Sequence, residues 1–282
     1  MAHLEPAPPG LSDRVDLLWA AGGVSGTTSE AVSGTAPASL QELFPDAGVH
    51  LLFRRSPAGC RAVLLGPAAE RATVERAPGA EYLGVRFRAG QAPRLAAVAS
   101  AALTDAHVDL DAVAGVPVPE VERRLAALPD VRHRCRALAA LACEAPGWLV
   151  ADAVVRRGAR LLEEAEGQLK VTELARALRL APRSVERRFR LAFGMTPKRF
   201  ARLVRLRYVL GALRAGDRET LAALAAELGY ADQAHLVRDF KGLTGRPPGA
   251  PDAARNRRVE RPETRVVHRV RRDPAEVAGR RR

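Results

Sequence analysis

The chain repeats itself in its last third. Leu174-Ala175 and Leu178 recur fifty residues on as Leu224-Ala225 and Leu228, and Leu180-Ala181 recurs as Tyr230-Ala231. After one inserted residue the offset becomes 51. Val185, Arg187, Phe189, Arg190, Gly194 and Pro197 then answer to Leu236, Arg238, Phe240, Lys241, Gly245 and Pro248. Chance matches a few Leu and Ala residues in so alanine-rich a chain, but it is a poor account of ordered Phe, basic, Gly and Pro matches. Self-similarity at a fixed period means one supersecondary unit used twice.

Each copy reads as helix, tight turn, helix. In the first, Val171, Leu174, Ala175 and Leu178 make one apolar stripe. Ala175 is small where a second helix must cross closely. Arg179-Leu180-Ala181 is the turn, and Pro182 suits the first position of the next helix, whose N–H would be unpaired anyway. That helix buries Val185 and Phe189 and leaves Arg183, Arg187 and Arg190 outside. In the second copy Thr220 and Asp232 stand where N-caps are needed. Gly229 supplies the backbone freedom of the turn. Leu236 and Phe240 go inward, while Gln233, His235 and Arg238 face outward or forward. Residues 198–213 form a linking helix with Phe200, Leu203, Leu206, Leu210 and Leu213 near one face.

This is helix-turn-helix geometry, in which the second helix of each unit enters the DNA major groove. An Arg fork can bond guanine O6 and N7 together, and Gln does the same for adenine. Lys198, Arg199, Arg202, Arg205 and Arg207 on the linking helix can meet phosphates. A rigid link would set the two recognition helices about one duplex turn, or ~34 Å, apart.

Residues from about 152 to 249 resemble the DNA-binding domain of the AraC/XylS family. The second copy carries the signature run Gly229-Tyr230-Ala231-Asp232-Gln233-Ala234-His235-Leu236-Val237-Arg238-Asp239-Phe240-Lys241, then Gly245 and Pro248. The resemblance implies an all-α domain of seven helices. It makes Arg183, Arg187, Gln233, Ala234 and Arg238 the base-reading positions, with Arg190, Lys198, Arg199, Arg202, Arg205 and Lys241 toward phosphate. Ala234 departs from the longer polar residues that can stand there, so the second helix is expected to read fewer bases. The ending departs too: Pro248-Gly249-Ala250 stands where the family commonly has an aromatic–Arg pair after its last proline.

The front of the chain reads differently. Residues 1–12 hold four prolines or glycines and are expected to be a flexible start. Strand candidates follow at residues 13–20, 49–54, 61–65, 72–76 and 82–87, short and separated by turns such as Pro57-Ala58-Gly59. Between them Val24-Ser25-Gly26-Thr27 recurs as Val32-Ser33-Gly34-Thr35, which reads as loop or hairpin. A helical pattern begins near Pro119, through Leu125, Leu128, Val131, Leu138 and Leu141, and Pro146-Gly147 marks the domain boundary. The expected fold is α+β. A small antiparallel β-rich domain with a helical end (13–146) precedes an all-α domain (151–249) of two helix-turn-helix units joined by a linker helix. An Arg-rich tail (250–282) is expected to be disordered. Phe44-Pro45-Asp46-Ala47-Gly48-Val49 and Tyr82-Leu83-Gly84-Val85-Arg86-Phe87-Arg88-Ala89-Gly90 resemble the β-rich sensor domain attached to some AraC/XylS members. That resemblance implies a front domain that binds a small-molecule effector or promotes a homodimer.

Charge follows the same division. Lys and Arg minus Asp and Glu gives −2 over residues 1–150, +9 over 151–249 and +6 over 250–282, which makes up the total of +13. A polyanion is therefore expected at the back half only. The composition excludes other classes. There is no apolar run of membrane-spanning length and no secretory start, so the cytoplasm is expected. Cys60, Cys135 and Cys143 include no Cys-x-x-Cys pair, and no cofactor or metal is expected. Ala21-Gly22-Gly23-Val24-Ser25-Gly26 has the wrong spacing for a dinucleotide loop, and hydrolase and nucleotide-loop motifs are missing. The chain is thus read as a double-stranded-DNA-binding transcription regulator and not as an enzyme. Contact with RNA polymerase, the oligomeric state, and activator versus repressor action stay open. Two alternatives also stay open: a DNA-linked thiol enzyme or alkyl acceptor using Cys60, and an interaction protein whose helix-turn-helix units do not bind DNA.

Overall fold

The strand expected over residues 82–87 is the middle of the front sheet. The computed structural model describes residues 3–22, 39–76, 79–93, 103–110, 117–144, 147–215 and 220–250. The front part contains β1 (His3–Pro6), β2 (Val15–Gly22), β3 (Ser39–Leu43), β4 (His50–Ser56), β5 (Gly59–Leu65), β6 (Ala72–Arg76), β7 (Glu81–Phe87), β8 (Gln91–Pro93), β9 (His107–Asp109), α1 (Val118–Ala126), α2 (Val131–Cys143) and β10 (Trp148–Val150). Six strands form an antiparallel sheet in the order β1-β2-β7-β4-β5-β9, with β3–β6 and β8–β10 as separate pairs. β7 is buried along its whole length. Leu83, Val85 and Phe87 alternate onto the face that packs with Cys135, Leu138, Ala139 and Ala142 of α2. Gly84 pairs with Trp19, and any Cβ there would enter the indole ring.

Residues 3–12 are not a loose start. His3–Pro6 is an edge strand paired with Leu17–Ala20, and Glu5 inside it binds Arg132 and Arg136 of α2. An edge strand tolerates proline because its outer N–H has no ladder partner to lose. The boundary also moves. Trp148–Val150 pairs with β8, so the residues just after Gly147 complete the front domain, and the junction falls at Ala151-Asp152.

The back part holds α3 (Ala153–Glu164), α4 (Val171–Leu178), α5 (Pro182–Phe193), α6 (Pro197–Ala215), α7 (Leu221–Glu227) and α8 (Gln233–Thr244). That is six helices among the described residues where seven were expected, with turns and no further helix from Gly245 to Ala250. α6 crosses the centre of this core with Phe200, Leu203, Leu206, Val209 and Leu210 buried. Phe189, Phe193 and Phe200 meet with ring centroids 5.0–5.7 Å apart. This core continues onto the front domain through Ala47 and Ala89. The Val24–Thr35 stretch and residues 251–282 of the Arg-rich tail lie outside the described residues.

Candidate nucleic-acid interface

The two helix-turn-helix units are built alike at the level of single backbone bonds. In both, the turn closes with a long-range bond: Leu180 N–H donates to Ala175 C=O (3.0 Å) and Tyr230 N–H to Ala225 C=O (2.9 Å). In both, the second helix ends on a left-handed glycine, Gly194 (φ 66°) or Gly245 (φ 80°), whose N–H bonds the carbonyl of Arg190 or Lys241. Thr220 and Asp232 cap α7 and α8 as expected, accepting from Ala223 and His235 N–H. The Tyr230 and His235 rings meet edge to face, and Nδ1 of His235 lies 3.4 Å from Ala231 N, so this histidine is a local cover.

One repeat position is strained. Gly229 takes φ 67° in the second turn, and its counterpart Arg179 takes φ 54° in the first. A side chain in the left-handed region costs about 1–2 kcal/mol, and glycine escapes most of that. Arg179→Gly is therefore expected to stabilise the protein by about 1 kcal/mol, read as a higher urea midpoint. An unchanged or lower midpoint would show that the Arg179 side chain compensates.

A second repeat position is charge-swapped. Arg188 of α5 binds Asp152 at the start of α3 (2.6 Å), and Asp239 of α8 binds Arg202 of α6 (2.6 Å). Asp152 and Arg202 are 50 apart and Arg188 and Asp239 are 51 apart, so the same tie is made twice with opposite sign. The second tie is the more buried. Asp239 also accepts from Tyr230 Oη (3.1 Å), and the Arg205 guanidinium lies 4.7 Å over the Tyr230 ring. Burial and the Asp239 charge push the Tyr230 phenol up, so it stays a donor at neutral pH.

Arg183, Arg187, Gln233, Ala234 and Arg238 are all exposed on α5 and α8. Neither Arg187 nor Arg238, at equivalent repeat positions, has a hydrogen-bond or ion-pair partner among the described side chains, and the same holds for Arg183 and Gln233. The six residues expected at phosphates divide. Lys198 and Lys241 are exposed without such a partner, and Arg190 is exposed beside Glu186 (3.3 Å). Arg202 and Arg205 are engaged as described above. Arg199 binds the Ala69 carbonyl and Glu70 of the front domain, and Arg207 binds Asp16 (2.9 Å).

Sequence reading gave no sign of that front-domain contact. Two front loops form one ridge: Asp105 accepts from the N–H groups of Ala69 (2.7 Å) and Glu70 (3.3 Å), and its own N–H bonds Pro67 C=O. This ridge meets the ends of both recognition helices. A Cβ on Gly194 would enter Thr104, and one on Gly245 would enter Arg71. Beneath it, Arg86 is buried and binds both carboxylate oxygens of Asp46 (2.8 Å each), while also bonding Asp16, which holds Arg207 of α6.

Two of the three cysteines are poorly placed for nucleophilic work. Burial pushes the Cys135 thiol up to about 12 and pushes Cys143 up as well. Cys60 is half-buried in the β4–β5 hairpin. No group of three metal-ligating side chains occurs among the described residues, and none of their helices is long and apolar enough to cross a membrane.

Residues 174–251 match the family described as a helix-turn-helix domain, and residues 3–109 match one described as a domain of unknown function (DUF6597). No curated protein matches the chain. Among solved structures, the C-terminal domain of AraT, a response regulator from Geobacillus stearothermophilus, is similar at 18% identity and a TM-score of 0.35, covering 42% of this chain and 97% of that one. A probable AraC family transcriptional regulator from Rhodopseudomonas palustris is similar at 24% identity and a TM-score of 0.33, covering 37% and 99%. ToxT from Vibrio cholerae is similar at 7% identity and a TM-score of 0.48, covering 88% and 96%.

Proposed function

We propose that the C-terminal region of this chain, an AraC-type helix-turn-helix domain, reads double-stranded DNA with α5 and α8, and that the protein is a transcription regulator under control of its front domain. Arg183 and Arg187 read bases from α5, and Gln233, Ala234 and Arg238 hold that place on α8. Lys198, Arg190 and Lys241 neutralise phosphates. Arg199, Arg202 and Arg205 contribute charge from positions already tied within the protein.

The observation that carries the reading is the contrast within one set of arginines. Arg188, Arg199, Arg202 and Arg207 are each bonded to a carboxylate, whereas Arg187 and Arg238 stand exposed without one at matching points of the repeat. Two unpaired guanidiniums on the outward faces of two recognition helices suit bidentate contact with guanine edges. The protein is read as a cytoplasmic regulator without catalytic activity; the shifted thiols are Cys135 and Cys143, and the thiol-enzyme alternative rests on Cys60.

The test is binding to the duplex that the purified protein selects from a random pool. Arg187→Ala is expected to weaken that site by about 1–3 kcal/mol, roughly 5- to 150-fold, and to relax one base position. Lys198→Ala is expected to weaken selected and random duplexes alike and to reduce the salt slope by about one phosphate. Equal loss on random DNA for Arg187→Ala would remove its base-reading role. Failure to select any sequence would favour the interaction-protein alternative.

A further inference from the structure

A cavity of about 520 Å³ opens at the seam between the front domain and α3, and four arginines line it against three carboxylates. We propose that it is a binding site for a small compound with two or more anionic groups, of the size and charge of a tricarboxylate or a diphosphate. Arg14 and Arg88 come from the front domain. Arg156 and Arg160 come from α3, one turn apart and therefore on one face.

Nothing in the DNA interface uses these four residues. Arg88 Nε is anchored on Ser12 C=O and Arg156 Nε on Ala151 C=O (3.2 Å), which fixes both stems. Arg160 is exposed, and its guanidinium has no hydrogen-bond or ion-pair partner among the described residues. Guanidinium forks on two facing walls match a ligand with an anionic group at each end, held by paired charge-assisted bonds. The volume falls within the range of small-molecule sites. The lining side chains are all polar or charged, so an acyl chain would find little apolar surface there.

The site also touches the machinery that positions the DNA-binding domain. Glu163, in the cavity wall, lies 3.8 Å from Arg207 of α6, and Arg207 is held by Asp16, which Arg86 binds. An anion drawn to Arg88 and Arg160 competes with Glu163 for the charge of Arg88 and fastens the front domain to α3. Occupancy would therefore report directly on the tie between the front domain and the linker helix.

The experiment is calorimetric titration of the full chain, without DNA, with citrate and with pyrophosphate in chloride-matched buffers. One saturable site is expected for at least one probe. Arg160→Ala is expected to weaken it at least about 10-fold, the loss due to one charge-assisted contact, and to leave the ligand-free melting curve unchanged. Arg160→Glu is expected to abolish it. Lys198→Ala and Arg187→Ala, on the DNA-reading side, are expected to bind the probe as the parent does. Absence of saturable binding for both probes would overturn the proposal. So would unchanged affinity in Arg160→Ala, or a loss in Lys198→Ala, which would put the anion on the DNA-binding surface. Because no duplex is present, none of these results bears on whether the protein reads DNA.

Discussion

Replacing Arg86 by Met should cost the fold about 3–5 kcal/mol at neutral pH, measured by urea unfolding. The side chain is 4% exposed and sits among Asp46, Asp16 and, through Asp16, Arg207. Methionine keeps the apolar stem but ends near the position of Nε, so the loss combines the charge, the three hydrogen bonds and the space of the guanidinium. Removing the cation leaves two carboxylates without their shared partner, and an unpaired buried charge costs more than the pair contributed. The pH dependence has a definite sign. Burial pushes the Asp46 carboxyl up, but the Arg86 charge and hydrogen bonds, helped by His50, outweigh it and hold Asp46 well below the usual carboxylate range. A carboxyl depressed in the folded state stabilises fully above its unfolded value near 3.9, and that contribution fades as pH falls through the folded value. In the Met variant burial acts unopposed by Arg86, so protonation of Asp46 relieves the folded state instead. The gap between parent and variant should thus be widest near pH 7, begin to narrow above the unfolded value near 3.9 as Asp46 takes up its proton in the variant, and go on shrinking as pH falls through that value. A pH-independent gap would mean that Arg86 acts by packing alone.

The repeat made the DNA-binding units legible because each matched residue has a job fixed by local geometry. Pro182 opens α5, Asp232 caps α8, and Val185, Phe189, Leu236 and Phe240 are all buried, as their spacing demands. Five front strands were legible, β2, β4, β5, β6 and β7, where β-branched or aromatic residues stand between turn residues. β1 was hidden by Pro6 at its end, a residue that an edge strand accepts, and by the prolines that follow it. β3 lacks any strong pattern of its own and pairs with β6 across a long sequence gap. Contacts between charges distant in sequence left no local trace at all. Asp46 and Arg86 both stand in runs singled out by resemblance, yet they are 40 residues apart, and periodicity says nothing about which distant charges meet. The charge-swapped tie escaped for another reason. Matching the repeat by residue identity scores Asp152 against Arg202, and Arg188 against Asp239, as mismatches, although each pair does the same work.

That tie yields the other large effect. Asp239→Ala should destabilise the protein by about 3 kcal/mol, toward the lower end expected for a broken buried pair, because Arg202 retains some exposure to water. Asp239 holds Arg202 and the Tyr230 hydroxyl together, so its removal frees α8 from α6 and strips a buried phenol of its acceptor. The first-copy counterpart, Asp152–Arg188, is 47% and 35% exposed at its two side chains. Arg188→Ala should therefore cost no more than about 1 kcal/mol, as exposed pairs do. The inequality between two ties at one repeat position is a sharper measurement than either value, since the local helix geometry is shared. Charge reversal separates the ion pair from the tyrosine bond. Arg202→Asp combined with Asp239→Arg copies the polarity of the first unit and should recover most of the loss, leaving roughly the 1 kcal/mol attributable to the hydroxyl. If the double variant is no more stable than Asp239→Ala, the ion pair is not what fixes α8 on the linker helix. DNA binding supplies an independent readout: with α8 loosened, discrimination should fade at the bases assigned by the proposal to Gln233 and Arg238, while those it assigns to Arg183 and Arg187 keep theirs.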